Sequence, residues 1–82
     1  MRLKAVVHNV NERGCEAREN KSGEPYLLVR FEDETGAAHE LVDKDMDRQA
    51  GYKRDTDMNL TIDIDQGRKF TTIRIIDAKV IE

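Results

Sequence analysis

An all-β fold closed into a small barrel, with one short helix between its strands, is what this sequence predicts. Three observations carry the prediction. Apolar and polar residues alternate in five separate runs, the period-two signature of half-buried strands. Breaks rich in Gly, Asn, Asp and Ser part those runs, with no long linker among them. Only one segment, 43–51, follows helical spacing instead.

The first strand starts at Leu3, where Leu3, Ala5 and Val7 alternate with Lys4, Val6 and His8. Residues 9–14 interrupt the alternation, and Gly14 suits a bulge or bend before Cys15–Arg18 continue. Residues 20–25 carry turn chemistry, with Ser22-Gly23 for the reversal and Pro25 to hold its neighbour extended. The second strand, 26–32, puts Leu27, Val29 and Phe31 on one face and Tyr26, Leu28, Arg30 and Glu32 on the other. Asp33–Gly36 close a hairpin onto a third strand, 37–42. Asp43 then reads as an N-cap, Met46 and Ala50 share a helix face, and Gly51 stands where a terminating glycine belongs, so about two helical turns are expected. The fourth strand, 58–64, is apolar at its even positions. Gln66-Gly67-Arg68 turn it into a long fifth strand, 69–81, whose alternation slips at Ile75-Ile76.

Three strands, a helix and two strands is the element order of a five-stranded OB-type Greek-key barrel, whose helix joins strands three and four. A plain antiparallel sheet or an SH3-like barrel would use much of the same pattern. The long, interrupted first and last strands favour the OB-type barrel, because its strands bend to serve two sheets.

Eighty-two residues make a single domain, 1–82, with one thin core and little room for a deep cleft. Charged residues reach 38%, and the net charge of −3 counts against a nucleic-acid partner. Its distribution softens that. Residues 1–30 hold six basic against four acidic side chains, 31–65 four against eleven, and 66–82 four against two. If the two basic ends meet, a positive stripe forms on an acidic protein. The lone Cys15 forms no internal disulfide and suits a reducing cytoplasm. No apolar run of membrane-spanning length and no signal-peptide core is present.

Chemistry-bearing motifs are few. Asp43-x-Asp45-x-Asp47 opens like a calcium loop, but Arg48 and Arg54 stand where that loop needs glycine and glutamate. Asp63 and Asp65 project together from strand four, a weak nuclease-like pair without a third carboxylate. His8 and His39 are isolated, and Cys15 reads as a packed thiol unless Arg13 and Arg18 lower its pKa. No enzyme, cofactor or metal site is predicted.

The run Gly23-Glu24-Pro25-Tyr26, leading through Leu27-Leu28 into a strand, resembles the helix-destabilising single-stranded-DNA-binding proteins of filamentous phages and conjugative elements. The likeness spans residues 13–82 in layout. Glu24 stands where that family carries a basic residue. The resemblance implies an OB-type fold, a homodimer and cooperative binding of single strands with little sequence preference. By position it also implies contacts from Arg18, Lys21, Tyr26 and Leu28, with Phe70 near a further aromatic position. The residues themselves add a physical reason. Single-strand binders need exposed rings on which bases stack and cations beside them for phosphates. Tyr26, Leu28 and Arg30 share the strand face opposite the core. The loops joining strands one to two and four to five flank the groove of an OB barrel, and they bring Arg13, Arg18 and Lys21, then Arg68, Lys69 and Phe70. Single-stranded DNA is thus the expected ligand, with RNA as its alternative. A second reading makes the acidic segment 32–65 a docking surface for a basic protein, or a DNA mimic.

Overall fold

The computed structural model describes residues 1–82. Its elements are β1 (Arg2–Glu19), β2 (Pro25–Glu32), β3 (Ala38–Asp43), a 3-10 helix (Met46–Gly51), β4 (Asp57–Gln66) and β5 (Thr71–Val80). The five strands form one sheet that closes into a ring in the order β1-β2-β3-β5-β4. All neighbours are antiparallel except β3 and β5, whose parallel seam is only two residue pairs long, Val42↔Arg74 and Asp43↔Ile75. β1 closes the ring because its first half pairs with β4 and its second half with β2.

Alternation decides which side of the ring each residue faces. Leu27, Val29 and Phe31 of β2, Met58, Leu60 and Ile62 of β4, and Ile75 of β5 point inward with Val10 and Tyr52 to make the core. Phe31 and Tyr52 meet edge to face at 6.2 Å. Three polar side chains are buried as well: Glu12, Asp43 and Asp63.

The bulge expected at Gly14, with the strand continuing through Cys15–Arg18, is present, and the residues between Val7 and Gly14 stay in the strand. β1 runs on for 18 residues and absorbs its irregularities as two register shifts, between Val7 and Val10 and between Glu12 and Gly14. At the first, Asn9 takes a positive φ of 56°, and the Asn59 side chain accepts from its backbone N–H. These kinks let one strand turn the corner from β4 to β2. The slip anticipated at Ile75-Ile76 is present as an extra β5 residue, since Thr61 pairs with Asp77 but Ile62 with Ile75.

The helix differs from expectation in pitch and in cap. It is a six-residue 3-10 helix, and its N-cap is Asp45, whose carboxylate accepts from the Asp47 N–H. Asp43, the last residue of β3, lies two residues ahead of that cap, where its Oδ1 accepts from the Asp45 amide at 2.9 Å, and it faces inward. There it accepts the Tyr52 hydroxyl at 2.6 Å and pairs with Arg48 at 3.3 Å. The helix is therefore tied to the ring through Asp43, and the Arg48 guanidinium donates onward to the Ile76 carbonyl.

Candidate nucleic-acid interface

The turn at 20–25 is built on Asn20. Its side-chain oxygen accepts from the Ser22 and Glu24 amides at 2.9 and 3.0 Å, and Gly23 supplies the positive φ of 80° that a side chain would resist. Pro25 then starts β2 opposite Glu19, which sets Tyr26 opposite Arg18 and Leu28 opposite Glu16. On the other flank Leu28 faces Val42. Residues directly opposite in a sheet project to the same face, so these side chains share the outer wall of the ring.

There they line a shallow groove of about 400 Å³ made by Arg18, Tyr26, Leu28, Val42 and Lys44, with Glu24 and Pro25 at the turn. Tyr26 and Leu28 are half-buried, and Arg18 and Lys44 are exposed. Arg30, two residues along from Leu28, extends the surface and pairs with Glu40 at 3.6 Å. Lys21 is exposed at the tip of the same turn. Arg18 is held by Glu16 at 2.9 Å, and that hydrogen bond raises the guanidinium's affinity for its proton. The face thus offers a flat ring, an apolar neighbour and a fringe of cations.

The other predicted residues lie elsewhere. Arg13 sits at the second β1 bulge, where Asp55 binds it at 2.7 Å and Glu32 lies at 3.8 Å. Arg68, Lys69 and Phe70 form the tip of the β4–β5 hairpin, with Phe70 77% exposed. Counting register through Val42↔Arg74, that tip and Tyr26 are six positions apart, roughly 20 Å along the strands. The two basic turns do not surround one groove.

Sequence reading missed Lys44 and a second cluster on the outer wall. Asp63, only 4% exposed, accepts from Arg2 through Nε and Nη2 and from Arg74 through Nε, at 3.1–3.3 Å. Hydrogen bonding by Arg2, reinforced by Arg74, holds its carboxyl below the usual range. Asp63 is thereby occupied by arginines, and no three His, Cys, Asp or Glu side chains are placed to hold a metal ion. Lys44 was within reach of the pattern, since a register with Leu28 opposite Val42 carries position 44 toward Tyr26. The cluster was not, because Arg2 comes from β1 and meets Asp63 only through the pairing of β1 with β4, strands far apart in sequence.

His39 stands on the exposed surface of β3, where its ring lies 2.7 Å from Asp33. Cys15 is half-buried, and burial, followed by Glu12 and Asp43, pushes its thiol up, so neighbouring arginines do not activate it. No helix is long and apolar enough to cross a membrane. Comparison with protein-family models, curated proteins and solved structures finds no match to this chain.

Proposed function

We propose that this chain is an OB-type single-stranded-DNA-binding protein of a phage or mobile element, working in the cytoplasm as a homodimer and performing no covalent chemistry. The observation that carries the reading is the outward Tyr26–Leu28 pair with Arg18, Lys44 and Arg30 around it. A ring at the start of a strand, held by a stiff turn and fringed by cations, is what a base needs for stacking and a phosphate for neutralisation. The element order, with the helix between β3 and β4 and a bent β1 serving two neighbours, supports the OB-type assignment. The acidic segment supports a basic protein partner less well. Asp33, Asp43, Asp55 and Asp63 spend their carboxylates on donors within the chain.

Titration of a labelled oligothymidine at two salt concentrations tests this. Affinity should fall steeply as salt rises, because bound phosphates release counterions. Tyr26→Ala should cost about 1–3 kcal/mol of binding in a variant that remains folded. Absence of binding at low salt, or an affinity indifferent to salt, would overturn the assignment.

A further inference from the structure

The cluster around Asp63 holds more positive charge than its carboxylate needs. Arg2 offers Asp63 two of its nitrogens, and Arg74 offers one. Both nitrogens at the end of the Arg74 fork remain free of protein acceptors. Lys4, directly across from Asp63 in the β1–β4 ladder, makes no ion pair at all. Asp65, across from Arg2, adds a second carboxylate, so three cations meet two carboxylates and one positive charge is left in surplus, with Lys4 unpaired. The three cations border an open hollow of about 520 Å³ lined by Arg2, Lys4, Asp63, Arg74 and Ile76. A carboxylate placed only to satisfy the fold would need one guanidinium and no hollow. Here the buried Asp63 fixes two guanidinium planes and leaves their remaining N–H groups free for a second acceptor.

Register ties this hollow to the tyrosine groove. Leu28 pairs with Val42, Val42 with Arg74, Arg74 with Asp63, and Asp63 with Lys4. That single outer row crosses four strand spacings, roughly 19 Å. Beyond it, on the side of Arg2, rises the hairpin that carries Arg68, Lys69 and Phe70. The cluster lies between the two halves of the predicted surface.

Resting on the single-strand reading above, we infer that Arg2, Lys4 and Arg74, with their guanidiniums positioned by Asp63, form a phosphodiester-binding site, and that a strand stacked on Tyr26 continues over it toward the β4–β5 hairpin. The strand crosses β2, β3, β5, β4 and the start of β1 in turn. Arg74 and Lys4 each take a backbone phosphate, and Asp63 is a positioning residue that touches no ligand.

The test uses the full chain and an oligothymidine of about 12 nucleotides, within the span one such domain covers. Lys4→Gln, an exposed side chain without a partner, should weaken binding roughly five- to tenfold at 50 mM salt and lower the log–log salt slope by about 0.7. Lys4→Arg should restore both, which a merely structural role would not require. Arg74→Gln should act alike, Arg2 still covering Asp63; if that variant does not fold, the Lys4 pair decides. Wild-type binding with affinity and slope unchanged in Lys4→Gln would overturn this site while the function stands. Failure of the wild type to bind would remove both. Competition by inorganic phosphate beyond chloride of equal ionic strength, and lost in Lys4→Gln, would make the site one for the free ion and overturn the strand assignment.

Discussion

Glu12 occupies a place where hydrophobic residues belong. It points into the ring between Val10 and Cys15 and is 1% exposed, and one of its carboxylate oxygens meets no donor. Burial pushes its pKa up, against smaller opposing pulls from the Gly14 amide, Arg54 and Arg13. A carboxyl whose folded pKa is raised adds stability that is complete below its unfolded value near 4.5 and is lost as pH rises through the folded one. At neutral pH the charged Glu12 therefore costs stability. Glu12→Gln should raise the melting temperature at pH 7, by an amount reflecting about 1–3 kcal/mol for an unsatisfied buried polar group. The gain should shrink as pH approaches 4, where wild-type Glu12 carries its own proton. Melting curves at both values check this, and a variant less stable than wild type at pH 7 would contradict it.

Among the elements, the 3-10 helix depends most on a single side chain. It presents no fully buried residue of its own; besides the half-buried Met46 against the core and the Arg48 bond to the Ile76 carbonyl, its hold on the ring runs through Asp43, which binds Tyr52 and Arg48. Burial and the Asp43 hydrogen bond both push the Tyr52 hydroxyl far above its ordinary pKa, so it stays a donor throughout the range in which the protein folds. Tyr52→Phe keeps the ring that packs on Phe31 and removes only that donor. It should cost about 1.5–3 kcal/mol, the range for a hydrogen bond to a charged group, as a lower urea midpoint at unchanged slope. The first turn gives a more local prediction. Asn20→Ala removes the acceptor of the Ser22 and Glu24 amides, and those two should exchange with solvent faster while Leu27 and Val29 amides keep their protection. Equal acceleration everywhere would mean that Asn20 supports the whole fold and not its turn.

These elements also show where sequence reading succeeds. The inward faces of β2 and β4 were legible because strict alternation from Leu27 to Phe31 and from Met58 to Ile64 fixes side as well as strand. The Ile75-Ile76 bulge was legible for the same reason, as a break in that rhythm. The bulge at Gly14 was legible too; the first kink, between Val7 and Val10, was not separable from it, because Asn9 and Asn11 look like loop residues until a partner strand on each side absorbs the extra length. Asp43 misled for a related cause. Local chemistry makes it a cap, and only the inward register of β3 turns it into the acceptor for Tyr52. Of the candidate site, Tyr26, Leu28 and Arg18 could be placed from one hairpin. Arg2, Lys4 and Arg74 could not, since Arg2 and Lys4 reach Asp63 only through the long-range pairing of β1 with β4, while Arg74 arrives from the other side on β5.

For the whole molecule, nine buried hydrophobic residues make a small core, so the ionic side chains have unusual leverage over stability. Two carboxyls are held below their ordinary range: Asp33, by the Thr35 hydroxyl first and then His39, and Asp63, by Arg2 and then Arg74. A depressed carboxyl adds stability that is present above its unfolded value, here 3.8, and is lost as pH falls through its lower folded value. Glu12 acts in the opposite sense and above that range. Stability should therefore improve as pH drops from neutral toward 4.5, the unfolded value of Glu12, and then decline below 3.8 as the protein takes up protons and its arginines and lysines repel one another. Urea midpoints measured from pH 2 to 7 should trace that asymmetric maximum. Asp33→Asn, at an exposed hairpin, should flatten the acid limb and leave the rise on the neutral side intact; Glu12→Gln should abolish that rise and spare the acid limb. If both variants alter the same limb, the two groups titrate as one unit and the separation of their roles fails.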